Sequence, residues 1–108
     1  MVACVVDTSG QATGIDIEQW RDRITRISSK FINKEDRTPF LDVLHCHLIW
    51  GAKEVLYKIY AKKELDFISH LTVIFDKIFM GYIHKNEIKS EYQLDFMELN
   101  NFIVVWNI

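Results

Sequence analysis

The spacing of apolar residues changes several times along the chain, and each change predicts an element. Val2 to Val6 is an unbroken apolar run rich in β-branched side chains, the pattern of a strand buried on both faces. Asp7 to Gly14 is small, polar and glycine-bearing, which reads as a loop. Ile17, Trp20, Ile24, Ile27 and Phe31 then recur at three- and four-residue spacing, while Arg21, Arg23, Arg26 and Lys30 lie off that stripe. Asp16 is placed to cap the element, with Gln19 as its capping-box partner and Ile15 and Trp20 as a hydrophobic staple. The expectation is an amphipathic helix from Asp16 to Asn33.

Thr38 to Ile83 carries most of the large apolar side chains, and its middle reads two ways. Leu41, Leu44, Leu48, Ala52, Val55, Leu56 and Ile59 form one helical face that could begin at Thr38-Pro39. Val43 to Trp50 and Glu54 to Tyr60 could instead be two strands joined at Gly51-Ala52-Lys53. Ala52-Lys53-Glu54 is a run of good helix formers and favours the helix. A further helix is expected from Glu64 or Asp66, with Leu65, Ile68, Leu71, Phe75, Ile78, Phe79 and Tyr82 on one face, against which the β-branched triplet Thr72-Val73-Ile74 argues mildly. After His84 to Ser90 the period becomes two, because Tyr92, Leu94 and Phe96 alternate with Gln93 and Asp95. Asn100-Asn101 suits a two-residue turn, so 91–99 and 102–107 are expected to form a hairpin, its second strand covered beside Val2 to Val6.

These elements add up to an α+β fold, with two or three helices packed on a small sheet formed by the N-terminal strand and the C-terminal hairpin. An α/β arrangement with an additional hairpin at 43–60 is the alternative. Composition narrows the class further. A chain of 108 residues with 49% hydrophobic and 26% charged side chains, four glycines and one proline is sized and built for one globular domain spanning 1–108. Its formal charge of −2 is not the clustered basic excess of a nucleic-acid binder. Cys4 and Cys46, widely spaced and without a secretion signal before them, fit free thiols in a reducing compartment, so a cytoplasmic location is expected. The longest apolar run, Ile78 to Ile83, is far short of the ~20 residues needed to cross a bilayer, so no transmembrane helix is expected.

Candidate chemistry is sparse. Val5-Val6-Asp7-Thr8-Ser9-Gly10 resembles the opening of a von Willebrand factor type A domain, where Asp-x-Ser-x-Ser at a strand end supplies oxygen ligands to magnesium. That resemblance extends through Gly14 and Ile17-Glu18 to the start of a helix, and it implies Asp7 and Ser9 as metal ligands. As turn chemistry the same residues bond their own backbone; this is the reading adopted, and no cofactor is expected. His45-Cys46-His47 has zinc-binding residue types, but on a helix the two histidines point about 200° apart. One histidine is therefore expected to be packed or hydrogen-bonded and the other exposed, with Cys46 a small core residue. No serine stands in a Gly-x-Ser-x-Gly setting and no glycine loop precedes a lysine, so nothing supports an enzyme.

Charge is unevenly distributed along the chain. Trp20 to Lys34 holds five basic residues against one acidic residue, whereas Ser90 to Ile108 holds Glu91, Asp95 and Glu98 and no basic residue. An acidic, aromatic-bearing hairpin suits a basic protein partner, and Glu91, Tyr92, Asp95 and Glu98 are the candidate contact residues. The function expected is a small cytosolic, non-enzymatic protein-binding or inhibitory protein of immunity or antitoxin type. A divalent-metal-dependent recognition domain using Asp7 and Ser9 is the alternative. Nucleic acid and membrane are not expected as partners, and the oligomeric state stays open.

Overall fold

The structure is a computed structural model that describes residues 13–60 and 65–108 together with the backbone of Val2–Ala3. It is α+β. Six strands, β1 (Val2–Ala3), β2 (Ile15–Gln19), β3 (Leu71–Phe75), β4 (Phe79–Lys85), β5 (Ile88–Leu99) and β6 (Phe102–Asn107), form one antiparallel sheet in the order β1-β2-β6-β5-β4-β3. One α-helix, α1 (Val43–Tyr60), and a 3-10 helix, Asp22–Lys30, are inserted between β2 and β3, and α1 lies against the inner face of the sheet. No helix among the described residues is long and apolar enough to cross a membrane.

The expected helix from Asp16 to Asn33 is corrected. Its first part is β2, in which Ile15 and Ile17 alternate with Asp16 and Glu18, a period of two hidden within the helical spacing. Asp16 caps nothing; it is 2% exposed and faces α1. The start of a helix implied by the von Willebrand resemblance is likewise absent at Ile17-Glu18, and Asp7 and Ser9 lie outside the described residues. The remainder, Asp22–Lys30, winds as a 3-10 helix. Three residues per turn put Ile24 and Ile27 in line, and only Ile24 reaches the core while Ile27 stays 45% exposed.

The fork at 43–60 resolves as a helix, so the alternative hairpin is excluded. It begins at Val43 and not at Thr38-Pro39, because Asp42 is the cap: its carboxylate accepts the His45 backbone N–H at 2.8 Å. From Cys46 to Leu56 only Trp50 and Glu54 escape full burial, so α1 is covered nearly all round. Lys53 is part of that core. Its ammonium donates to the carbonyls of Phe31 at 2.6 Å and Phe67 at 2.9 Å and to the Asp36 carboxylate at 2.8 Å. The Asp36 carboxylate also accepts the backbone N–H groups of Asn33 and Val73. One buried ion pair thus fastens two crossing segments to α1. The segment around Arg37 in turn bonds β3 at Val73 and Phe75, which covers the edge of the sheet.

The third helix, expected from Glu64 or Asp66 to Tyr82, is also corrected: β3 and β4 form a hairpin there. Leu71 and Val73 of β3 and Phe79, Gly81 and Ile83 of β4 are buried at a period of two. Gly81 is required where this hairpin passes beneath α1, since a Cβ there would stand 2.9 Å from Leu56 Cδ1. The β4–β5 turn uses Asn86 and Glu87, both at positive φ, as a primed two-residue turn demands. The expected C-terminal hairpin is present as β5 and β6 around Asn100, also at positive φ. Its second strand is not directly beside Val2–Ala3; β2 separates them in the sheet.

Candidate protein-docking face

Because strand side chains alternate, each row of paired residues falls on one face of the sheet. Val105 packs against Gly51 of α1, which marks its row, Asp16–Val105–Phe96, as inner. The rows on either side are therefore outer: Ile17–Val104–Met97 and Ile15–Trp106–Asp95, followed by Gln19–Phe102–Leu99. Met97, Leu99 and Phe102 are 44%, 52% and 44% exposed, while Val104 at their centre is screened to 7% by its neighbours. Among the described residues no helix covers this side. The outcome is an open sheet face with an apolar centre on β2, β6 and β5.

Charge enters along β5. Its outer positions run Lys89, Glu91, Gln93, Asp95, Met97, Leu99, from polar to apolar. Asp95 is paired across the strands with Trp106, and Glu91 with Tyr82. The Tyr82 ring is already engaged by Lys89, whose ammonium lies 4.7 Å from the ring centroid. Asp95, whose carboxylate accepts the Phe96 backbone N–H at 2.8 Å, stands beside the half-buried indole of Trp106, and this pair borders the apolar centre directly.

Of the four contact residues expected from sequence, the structure brings together two. Glu91 and Asp95 share the outer face. Tyr92 is on the inner face, half-buried against the core with Phe96, and Glu98 has inner-face parity but is exposed near the hairpin's end. Trp106 and Tyr82 were not expected at the site, because only strand pairing places them beside the carboxylates. The alternation of Tyr92, Leu94 and Phe96 already carried the signal that separates Tyr92 from Glu91 and Asp95.

A small set of titratable groups lies under the sheet, in a polar seam between β2 and α1. Asp16 accepts from Lys58 at 3.0 Å, and Lys58 also donates to the Ile15 carbonyl at 2.9 Å. Burial, then the charge of nearby Glu18, pushes the Asp16 carboxyl up to about 7 against the opposing pull of Lys58. Glu54 is raised by burial as well. His47 is 2% exposed, accepts the Arg21 backbone N–H at 3.0 Å and is held below the ordinary imidazole range by burial. His45 bonds Asp42 at 2.6 Å and its side chain is only 12% exposed, so the expectation of one exposed histidine is corrected, while Cys46 is a fully buried thiol as expected. Among the described residues no group of three histidine, cysteine or acidic side chains could hold a metal ion. Compared with known protein families, curated proteins and solved structures, the chain has no match in any of the three.

Proposed function

We propose that this protein is a small non-enzymatic binding protein that occludes or regulates a protein partner through the outer face of β2, β6 and β5. The supporting observation is one open face that combines exposed Met97, Leu99 and Phe102 with Asp95 set beside the Trp106 ring. Each part has a physical task. The apolar centre drives association, and a lysine or arginine of the partner meets a carboxylate and an aromatic face at once. The absence of any basic residue from Ser90 to Ile108 biases the choice towards a basic partner and speeds its approach. An inhibitor of immunity or antitoxin type, working in the cytoplasm, is the narrower form of this reading, since such a protein needs a rigid scaffold and a complementary face but no chemistry. The buried free thiol of Cys46 suits a reducing compartment.

The test is affinity capture from the source lysate at low and high salt with wild type, Asp95→Lys and Leu99→Asp. A partner that is retained by wild type and lost from both variants, with unchanged melting of the variants, supports the reading. Equal retention by all three, or no salt-sensitive partner at all, sinks it.

A further inference from the structure

The far end of the polar seam opens into a cleft of about 780 Å³, between the end of β2, the 3-10 helix and α1. That volume lies in the range of small-molecule sites, roughly 300–1,000 Å³. Its wall is fixed where β2 runs into the 3-10 helix, because His47 Nε2 takes the Arg21 amide and the Trp20 ring packs on the imidazole at 5.3 Å between centroids. Accepting through Nε2 leaves the neutral ring's proton on Nδ1, and burial keeps the ring uncharged. Ile27 and Trp50 supply an apolar floor, partly open to solvent.

Charges of both signs line this cleft without touching. Glu18 comes from β2, Arg21 from the extended residue before the 3-10 helix and Arg23 from the helix itself; among the described residues none of the three belongs to an ion pair. Asp22, the other carboxylate present, is occupied by the Trp20 indole N–H at 2.8 Å. Unpaired charges of both signs lining one cleft together with apolar Ile27 and Trp50 match a molecule that carries both charges and an apolar body. We propose that the cleft binds a zwitterionic amino acid with a large apolar side chain, its ammonium at Glu18, its carboxylate at Arg21 and Arg23, and its side chain over Ile27 and Trp50. The residues proposed to hold the ligand, Glu18, Arg21, Arg23, Ile27 and Trp50, are distinct from those of the docking face, which the cleft meets only at Gln19.

L-Phenylalanine is the probe, followed by isothermal titration and by tryptophan fluorescence, since Trp50 lines the cleft and Trp20 packs on His47 in its wall. Phenylacetate and phenethylamine each lack one of the two charges. L-Phenylalanine is expected to bind in the millimolar range or tighter, and each single-charge analogue at least about tenfold more weakly. Glu18→Gln should weaken L-phenylalanine about tenfold and leave phenylacetate unchanged, and Arg21→Gln with Arg23→Gln should do the same with phenethylamine as the unchanged probe. Melting curves of the variants check that the fold is kept. No heat and no fluorescence change with millimolar L-phenylalanine, or equal binding of the three probes, overturns the proposal, whatever the outcome at Asp95 and Leu99.

Discussion

Lys53→Met is the most informative perturbation of the fold. It keeps the aliphatic stem and volume of the lysine but removes three hydrogen bonds, to Phe31, Asp36 and Phe67. What remains is the Asp36 carboxylate, 1% exposed, held by backbone N–H groups alone. Breaking a buried pair on one side costs about 3–5 kcal/mol, because the surviving charge is stranded away from water. A domain of this size is stable by roughly 5–15 kcal/mol, so the loss takes a large share of the total and lowers the melting temperature by about 15–30 °C. Urea unfolding followed by circular dichroism, at constant slope, measures it directly. Asp36→Asn provides the internal control. Since both partners belong to one cluster, the double variant should lose less than the sum of the single losses, by about 2 kcal/mol. A Lys53→Met protein within about 1 kcal/mol of wild type, or strictly additive losses, would refute the claim that this pair is desolvated and holds the 31–38 and 65–70 segments to α1.

Two further outcomes follow from the seam and from the helix. Because the folded-state carboxyl of Asp16 is raised from 3.8 to about 7, the native state holds a proton that the unfolded chain has released, so stability should fall as pH rises through that window. His47, lowered by burial, acts oppositely below its unfolded value, so the clean measure is wild type minus Asp16→Asn: urea melts at pH 5.5 and pH 8 should differ by about 2 kcal/mol between the two proteins, and a pH-independent difference would contradict the buried placement of Asp16. Gly51→Ala should destabilise by about 1–3 kcal/mol despite the better helix propensity of alanine, because its Cβ would stand 2.7 Å from Val105 Cγ2; thermal melts showing a gain would mean that β6 yields easily.

The fold was legible where local pattern and long-range packing agree. The β5–β6 hairpin combines a period of two with a turn that tolerates positive φ, and α1 combines helical spacing with good formers. It was obscured where one stretch satisfies both periods. Ile15 to Gln19 carries a capping signature and an alternation, and the strand is seen only in its long-range partners, β6 beside it and Lys58, which bonds Asp16 from 42 positions away. Leu71 to Ile83 offers a helical face as well as the alternation Leu71, Val73 and Phe79, Gly81, Ile83. Here the β-branched triplet at 72–74 was the better guide, and Gly81 had a reason that becomes visible only beneath α1.

The candidate sites were partly legible for a related reason. The acidic bias of the C-terminal hairpin needs no coordinates, yet it could not say which carboxylates share a face with which rings; pairing does that, by setting Asp95 beside Trp106 and turning Tyr92 inward. The basic residues before the β3–β4 hairpin are split by the fold. Lys53 and Lys58 are drawn beneath the sheet as partners for Asp36 and Asp16, and so leave the surface charge that composition assigns to them. Arg21 and Arg23 stay exposed at the mouth of a cleft that also holds Glu18. Since α1 is buried nearly all round from Cys46 to Leu56, the helix itself offers little surface, and the exposed apolar residues of the middle of the chain, Phe40, Leu41, Ile68 and Ile78, lie outside it. The two surfaces proposed for recognition, the side of the sheet at Met97, Leu99 and Phe102 and the cleft where β2 gives way to the 3-10 helix, both rest on that core.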